Sequence, residues 1–304
     1  MIIWGGGAAL TSNSAPTYGD GAAWNPQSDA WRMIADPPLQ PRRFHVAGWT
    51  GTEMIIWGGD DAGTVRNDGA AYDPADDTWR PIAASPVQWK RNAAAVWTGA
   101  EWVIATTAVA GDREELQFAA YNPDQDVWRE LPPLESRLET ETTLVSMGPD
   151  LVVLNVNTGL QRLAAGSAEW EPLPGIRPPF EGPVWTGAQL FAIDLEYLGS
   201  VEPRYRATLA EWQPQSNTWR LIVDPYGAVQ DAGLVGADDH VLLLGGDLVY
   251  DTTTGEWFSA DFPASINRVG AVRVWLGDRL VIWGGGGGDP SRAFAGGAVL
   301  TPAW

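Results

Sequence analysis

The chain has 304 residues, no cysteine and a formal net charge of −19. The lack of cysteine excludes disulfides, thiolate metal sites and cysteine nucleophiles, and the negative charge disfavours nucleic acid as a partner. No apolar run approaches the roughly 20 residues that a bilayer-spanning helix needs, so we expect no membrane span. The 35 glycines, 23 prolines and 18 tryptophans instead indicate many short strands joined by turns.

The clearest structural unit lies at residues 43–83. Its pattern predicts strand a over 43–49, strand b over 54–57, strand c from residue 70 and strand d from residue 79. A tight Thr-Gly turn separates strands a and b, and an Asp-Pro turn separates strands c and d. Such strands cannot bury their faces alone, so neighbouring four-stranded sheets must stack around an axis.

Seven tryptophans recur at the start of strand d, 38 to 49 residues apart, which is the spacing of propeller blades. They are Trp31, Trp79, Trp128, Trp170, Trp219, Trp257 and Trp304. The sequence therefore predicts an all-β propeller in one domain over 1–304, with seven blades, or six if the incomplete terminal units merge. The predicted units span 1–42, 43–90, 91–139, 140–181, 182–229, 230–267 and 268–304.

Two coupled features recur along almost the whole chain. A diglycine follows strand b at Gly5-Gly6, Gly58-Gly59, Gly245-Gly246 and Gly284-Gly285, and an aromatic pair seven residues apart flanks the c–d turn, at Trp24/Trp31, Tyr72/Trp79, Tyr121/Trp128, Trp212/Trp219 and Tyr250/Trp257. Together they resemble the kelch repeat of the galactose-oxidase-like propellers. The diglycine is replaced at Thr106-Thr107, Asn155-Val156 and Asp194-Leu195.

The first unit begins at strand b, because Met1 stands where Met54 stands in the second unit. We expect that an internal methionine was taken as the start, and that upstream residues supply strand a and any signal peptide. The resemblance then implies an extracytoplasmic location, and eighteen arginines against the single Lys90 indicate a bacterial codon habit.

The b–c and d–a loops fall at one end of the blades, which we call the loop face. The b–c loops vary in length there, and variable loops on a rigid scaffold are where specificity usually lies. Arg43, Arg91 and Arg137, with Arg177 and Arg268 at similar positions, predict a partial ring that could bind a carboxylate. The alternative is that each arginine pairs with an acidic residue of the next blade.

Two further groups on the loop face have alternative interpretations. Trp89 lies in a d–a loop beside Lys90 and suits stacking on a sugar or a protein partner, or it folds back over the blade edge. Thr106, Asn155 and Asp194 replace the first glycine in three consecutive blades and could orient a small ligand, or they reflect drift in a degenerate repeat. The acidic clusters nearby, such as Asp60-Asp61, predict a solvated surface.

We expect a non-catalytic, monomeric module that binds a protein or a glycan through the loop face, without a metal or cofactor. The alternative from another class is a metal-independent enzyme similar to the sialic-acid mutarotase-like kelch propellers. The radical-copper oxidases of the family need a tyrosine joined to a cysteine and two histidines. This chain has no cysteine, and His45 and His240 occupy different repeat positions. A degenerate product without a preserved site is the third possibility.

Overall fold

A computed structural model describes residues 1–8, 15–90, 93–110, 113–136, 142–155, 158–174, 180–197, 205–229, 233–244, 248–259, 269–286 and 296–301. Every regular element in these ranges is a β-strand or bridge. The same ranges contain no helix with the length and apolarity needed to cross a membrane.

Seven successive antiparallel sheets form the blades of a β-propeller. Blade 1 contains β1 (Ile2–Gly7), β2 (Thr17–Asn25) and β3 (Ala30–Met33). Blade 2 contains β4 (Val46–Trp49), β5 (Met54–Trp57), β8 (Gly69–Asp73) and β9 (Thr78–Pro81), and a separate small hairpin pairs β6 (Asp60–Asp61) with β7 (Thr64–Val65). Blade 3 contains β10 (Ala94–Trp97), β11 (Trp102–Ala110), β12 (Arg113–Asn122) and β13 (Val127–Ser136).

The remaining blades repeat this meander. Blade 4 contains β14 (Thr142–Met147), β15 (Asp150–Asn155), β16 (Gly159–Leu163) and β17 (Glu171–Pro172). Blade 5 contains β18 (Phe180–Trp185), β19 (Leu190–Tyr197), β20 (Tyr205–Gln213) and β21 (Thr218–Val229). Blade 6 contains β22 (Gly233–Ala237), β23 (His240–Leu244), β24 (Leu248–Asp251) and β25 (Trp257–Ser259), and blade 7 contains β26 (Val269–Trp275), β27 (Leu280–Gly286) and β28 (Gly297–Leu300).

The prediction of a seven-bladed all-β propeller is therefore confirmed. Blades 2 to 6 have four strands each, and blades 1 and 7 have three strands in the described part of the chain. Six of the strand-d tryptophans lie in or beside the last strand of a blade as predicted, whereas Trp304 lies outside the described residues. The expected strand a of blade 2 is shorter than 43–49, because Arg43 forms only an isolated bridge with Asp60 before β4 begins.

The chain divides into two compact units, Met1–Leu151 with Leu163–Trp170, and Val152–Arg162 with Glu171–Trp304. The expectation of a single domain stays a prediction. In the first unit, apolar clusters form between blades 1 and 2, around Trp4 and Ile56, and between blades 2 and 3, around Trp57 and Trp102. The second unit has corresponding clusters between blades 5 and 6 and between blades 6 and 7.

The strand-d tryptophans connect neighbouring blades in the first unit. The Nε1 groups of Trp79, Trp128 and Trp170 each donate to a backbone carbonyl of the preceding blade, in or just after its strand d, at Ala35, Ala83 and Pro132, and each N–O distance is 2.8 Å. Each indole ring packs against the apolar interface between two blades, and its only polar atom, Nε1, has a hydrogen-bond partner. The regular spacing of these tryptophans along the sequence therefore reflects a hydrogen bond that recurs between successive blades.

Candidate functional site

The two ends of the blades differ in regularity. The a–b turns are built alike in blades 2 and 3, where the Oγ1 atoms of Thr50 and Thr98 accept from the backbone N of Glu53 and Glu101 at 3.0 Å. Thr186 forms the same turn in blade 5, with an N–O distance of 3.2 Å to Gln189. We call this the turn end. The threonine side chains close these turns in the same way, so the turn end offers a partner few distinguishing features.

The loop face carries a different projection on each of blades 2 and 3. In blade 2 it is the β6–β7 hairpin, whose tip at Ala62 and Gly63 has φ angles of 49° and 87°. Such positive angles at both central residues define the tight hairpin turn that matches strand twist. Thr17 of blade 1 fixes the hairpin, because its Oγ1 lies 2.6 Å from Oδ1 of Asp61.

In blade 3 the loop face carries a three-stranded extension. β11 and β12 continue past the blade as a long hairpin, and β13 stays paired with them as far as Ser136. A bulge between Leu116 and Phe118 marks where the extension leaves the blade. Blade 5, within the second unit, has an extension of the same kind, with Tyr205 paired to Val229 and a bulge between Arg206 and Thr208. Bulges commonly redirect strands where pairing leaves the regular sheet.

The arginines that the structure describes on this face are bound in ion pairs. Nε of Arg43 lies 3.0 Å from Oδ1 of Asp60, and both residues are buried. Arg42, which the sequence did not single out, is fully buried and grips the carboxylate of Asp68 with two bonds of 2.8 and 3.0 Å. Arg43 thus pairs with an acidic residue of its own unit, 43–90, and not with one of the next blade. Arg91, Arg137, Arg177 and Arg268 lie outside the described residues, so their part in a binding ring stays a prediction.

Trp89 lies in the apolar core between blades 2 and 3, and only 3% of its surface is exposed. Its ring covers Gly58 so closely that a Cβ there would lie 2.2 Å from Cδ1 of the indole. Its backbone N donates to Oδ1 of Asn67 at 2.7 Å. The burial corresponds to the folded-back alternative, and in this conformation the indole offers no face for stacking on a ligand.

The structure describes the side chains of two of the three polar residues at the eroded diglycine positions. Oγ1 of Thr106 accepts from the backbone N of Lys90 and donates to the backbone O of Gln88, both at 3.1 Å, so it anchors the d–a loop. Asn155 is fully buried at the end of β15. The backbone of Asp194 pairs with Phe180 and Thr208, while its side chain lies outside the description. A role of these residues in ligand binding stays a prediction.

Asp60 and Asp61 are not the freely solvated pair that the sequence predicted. Asp60 is buried against Arg43, and Asp61 bonds Thr17 and lies 3.6 Å from Arg66. The hairpin follows strand b directly. The carboxylates of Asp60 and Asp61 fix it in place, through Arg43 and Thr17 respectively. Among the described residues, no group of three or more side chains has the arrangement of a metal site.

His45 is the titratable residue most strongly perturbed near this face. Its ring packs edge-on against Trp4 of blade 1, with 5.2 Å between ring centroids, and its Nδ1 is inaccessible and without a hydrogen-bond partner. Burial, with a smaller contribution from the Arg42 charge, lowers the pKa of His45 to about 4. A lone histidine just before a strand gives no sequence signal of this kind, because part of its burial comes from Trp4 of the neighbouring blade.

In the described part of the chain, hydrogen bonds and ion pairs thus hold the projections of the loop face in place. Most of the charged side chains there pair with one another. The residues left exposed there include Val65, Asp68, Gln88 and Lys90. In comparisons with known proteins, the chain matches no family model and no curated protein.

Proposed function

We propose that this protein is a non-catalytic, kelch-type propeller that binds a protein or a glycan through the loop face. The recurring diglycine and aromatic pair resemble kelch repeats, and that resemblance implies an interaction module. The propeller fold is compatible with this role, since rigid blades can present several projections to one partner.

The observation that carries the proposal is the difference between the two ends of the blades. At the turn end, the same threonine-closed turn recurs in blades 2, 3 and 5. At the loop face, blade 2 projects a tight hairpin and blade 3 a three-stranded extension. Extra structure confined to one end of a repeated scaffold favours that end as the binding surface.

The exposed side chains support recognition rather than chemistry. Val65 at the hairpin is 46% exposed, and Lys90 on the d–a loop that follows blade 2 is also exposed, so the loop face offers both an apolar and a cationic side chain. By contrast, the guanidinium groups of Arg42 and Arg43 are committed to carboxylates. This pairing disfavours the mutarotase-like alternative, which would use arginine and carboxylate on a sugar.

The proposal is tested by selecting ligands from a random peptide phage library and from a glycan array, which together sample both classes of partner. Val65→Asp and Lys90→Glu change the loop face, and each should weaken a selected ligand about tenfold or more if the residue lies at the centre of the contact. Val127→Asp and Asp76→Lys are the matched controls at the turn end, where Val127 is 49% exposed and Asp76 is exposed. Ligands that respond only to the control variants would contradict the proposal.

A further inference from the structure

Arg66, at the end of the β6–β7 hairpin, differs from the other arginines in the first unit whose side chains the structure describes. Each of those donates a side-chain hydrogen bond to a carboxylate; they are Arg32, Arg42, Arg43, Arg80 and Arg129. In the described part of the chain Arg66 makes no such bond. Its ion pair with Oδ2 of Asp61 is 3.6 Å long, and its buried Nε has no hydrogen-bond partner.

The carboxylates around Arg66 are held by other groups. Oδ1 of Asp61 accepts from Thr17 at 2.6 Å, and both oxygens of Asp68 accept from Arg42, at 2.8 and 3.0 Å. A guanidinium has five N–H donors and no acceptor. Arg66 therefore keeps unused donors beside two occupied carboxylates, and its side chain is 29% exposed.

Lys90 is a second cation of this kind, and the repeat explains its exposure. It occupies the position in its d–a loop that Arg42 occupies in the preceding one. Arg42 binds Asp68, the residue before strand c of blade 2, whereas the strand register puts Gln117 at that position in blade 3. The Gln117 amide carries no charge and donates to Glu115. Lys90 is exposed, and its ammonium makes no ion pair with any residue that the structure describes.

A hydrogen bond joins the chain segments that carry the two cations. Oδ1 of Asn67, which follows Arg66, accepts from the backbone N of Trp89, which precedes Lys90, at 2.7 Å. Because consecutive Cα atoms are 3.8 Å apart, the Cα atoms of Arg66 and Lys90 are at most about 15 Å apart. Val65, beside Arg66, is exposed. We call Val65, Arg66 and Lys90 the cation patch.

We infer that the cation patch binds an acidic segment of a partner polypeptide, whose carboxylates accept hydrogen bonds from Arg66 and Lys90. Bonds between a cation and a carboxylate are stronger than neutral ones. An extended segment advances about 3.3 Å per residue, so acidic residues about two to four positions apart can reach both cations.

The patch favours a polypeptide over an acidic glycan. Val65 suits an apolar side chain of the segment, whereas the buried Trp89 gives a sugar no ring to stack on. The inference rests on the proposed function, in which the loop face is the binding surface.

The test uses the whole chain and its single lysine, Lys90. Isotopically labelled lysine then gives one side-chain NMR signal from the cation patch. The capped peptide Glu-Leu-Glu-Leu-Glu should shift that signal saturably, whereas the matched peptide Gln-Leu-Gln-Leu-Gln should not. Because the net charge of −19 repels acidic peptides at long range, saturable binding requires local contacts.

Two arginine variants locate the binding site of the acidic peptide. Arg66→Gln should weaken binding of the acidic peptide about fivefold or more. Arg129→Gln is the matched control, since Arg129 is an exposed arginine at the turn end, and it should change the affinity less than about twofold. No saturable shift, equal effects of the two variants, or tighter binding of trigalacturonate, a glycan with as many carboxylates, would overturn the inference.

Peptides selected from the phage library separate this inference from the proposed function. Those that Val65→Asp weakens should be rich in Asp and Glu and should respond to Arg66→Gln. Loop-face ligands without acidic residues would overturn the inference and leave the proposed function intact. Ligands that respond only at the turn end would instead contradict the proposed function, and the titration would then decide the inference.

Discussion

The interface between blades 2 and 3, in the first unit, and that between blades 5 and 6, in the second, use the same strands but different polar contacts. In the first, Arg80 donates to the hydroxyl of Tyr121 at 3.1 Å, and that hydroxyl donates to Asp126 at 2.6 Å. Asp126 also accepts from the backbone N of Ala83 in blade 2 at 2.8 Å. Together with the bond from Trp128 to the Ala83 carbonyl, these contacts form a closed polar latch between the blades.

The corresponding latch in the second unit is incomplete. Arg220 donates to the hydroxyl of Tyr250 at 3.3 Å, but Gly255 stands where blade 3 has Asp126. The buried Nε1 of Trp257 has no hydrogen-bond partner, whereas that of Trp128 is satisfied. Both interfaces retain apolar cores. An apolar core with a single arginine–tyrosine bond is therefore enough to align blades 5 and 6, and the further bonds of the latch add stability between blades 2 and 3.

The largest expected effect concerns Trp89, which belongs to the core between blades 2 and 3. Trp89→Ala should lower the free energy of unfolding by about 3–5 kcal/mol, because it empties a packed aromatic site. Urea unfolding, followed with hydrogen exchange in β5 and β11, measures the loss. Trp49→Ala is the control, since Trp49 is 47% exposed. Equal losses for the two variants would show that the buried loop tryptophan is not part of this core.

The next largest expected effect is a pH dependence of stability. It arises from the titration of His45, which lies in the first unit. Its pKa is about 4 in the folded protein and about 6.5 in the unfolded chain, so the unfolded state binds the extra proton between these values. Stability should therefore fall as pH decreases from about 6.5 to about 4, by at most about 3 kcal/mol, and the effect should be complete below that range.

The measurement for His45 is urea unfolding at several pH values, compared with His45→Gln. Subtraction of the two profiles removes the contribution of the carboxylates, which titrate in both proteins. The difference should be flat above about pH 7 and should change only in the predicted range. A difference that is flat throughout would mean that the ring takes up its proton in the folded protein as readily as in the unfolded chain.

A smaller effect is expected when the complete latch is converted into the incomplete one. Asp126→Gly gives blade 3 the residue that blade 6 has at this position, and its positive φ of 52° suits glycine. The hydroxyl of Tyr121 and the N–H of Ala83 then lose their acceptor, at a cost of about 1–2 kcal/mol. Asp124→Gly in the same exposed turn is the control, and a loss there equal to that of Asp126→Gly would contradict the latch.

The sequence predicted the fold well because each blade repeats the same local chemistry. Asn122-Pro123 and Trp128 flank a turn in which Asp126 takes a positive φ, and equivalent residues flank the turns of blades 1, 2 and 5. A turn of this kind is determined by residues within seven positions of one another. Such turns mark four of the blades, and the seven strand-d tryptophans give the blade number.

The candidate site was less predictable because its contacts are not local. The sequence left open whether Trp89 stacks on a ligand or folds back over the blade edge. Val87-Gln88 repeats Leu39-Gln40 of the preceding d–a loop, with Pro41 where Trp89 stands. This repeat within the d–a loops was the sequence signal that the loop around Trp89 packs against the blades. The Arg42–Asp68 pair joins residues 26 positions apart, and no spacing rule predicts such a contact. The remaining predicted site residues stay predictions.

The smallest effect should come from completing the latch in the second unit. A Cβ added at Gly255 would lie 3.6 Å from the hydroxyl of Tyr250, and the φ of 76° is one that aspartate tolerates better than most residues. The new hydrogen bond favours the folded state, whereas the left-handed φ costs aspartate part of that gain, so Gly255→Asp should raise the free energy of unfolding by only about 0.5 kcal/mol. In the Tyr250→Phe background the hydrogen bond cannot form, so the same substitution should lower the free energy of unfolding. An equal change in both backgrounds, measured by urea unfolding, would show that a carboxylate here does not restore the latch.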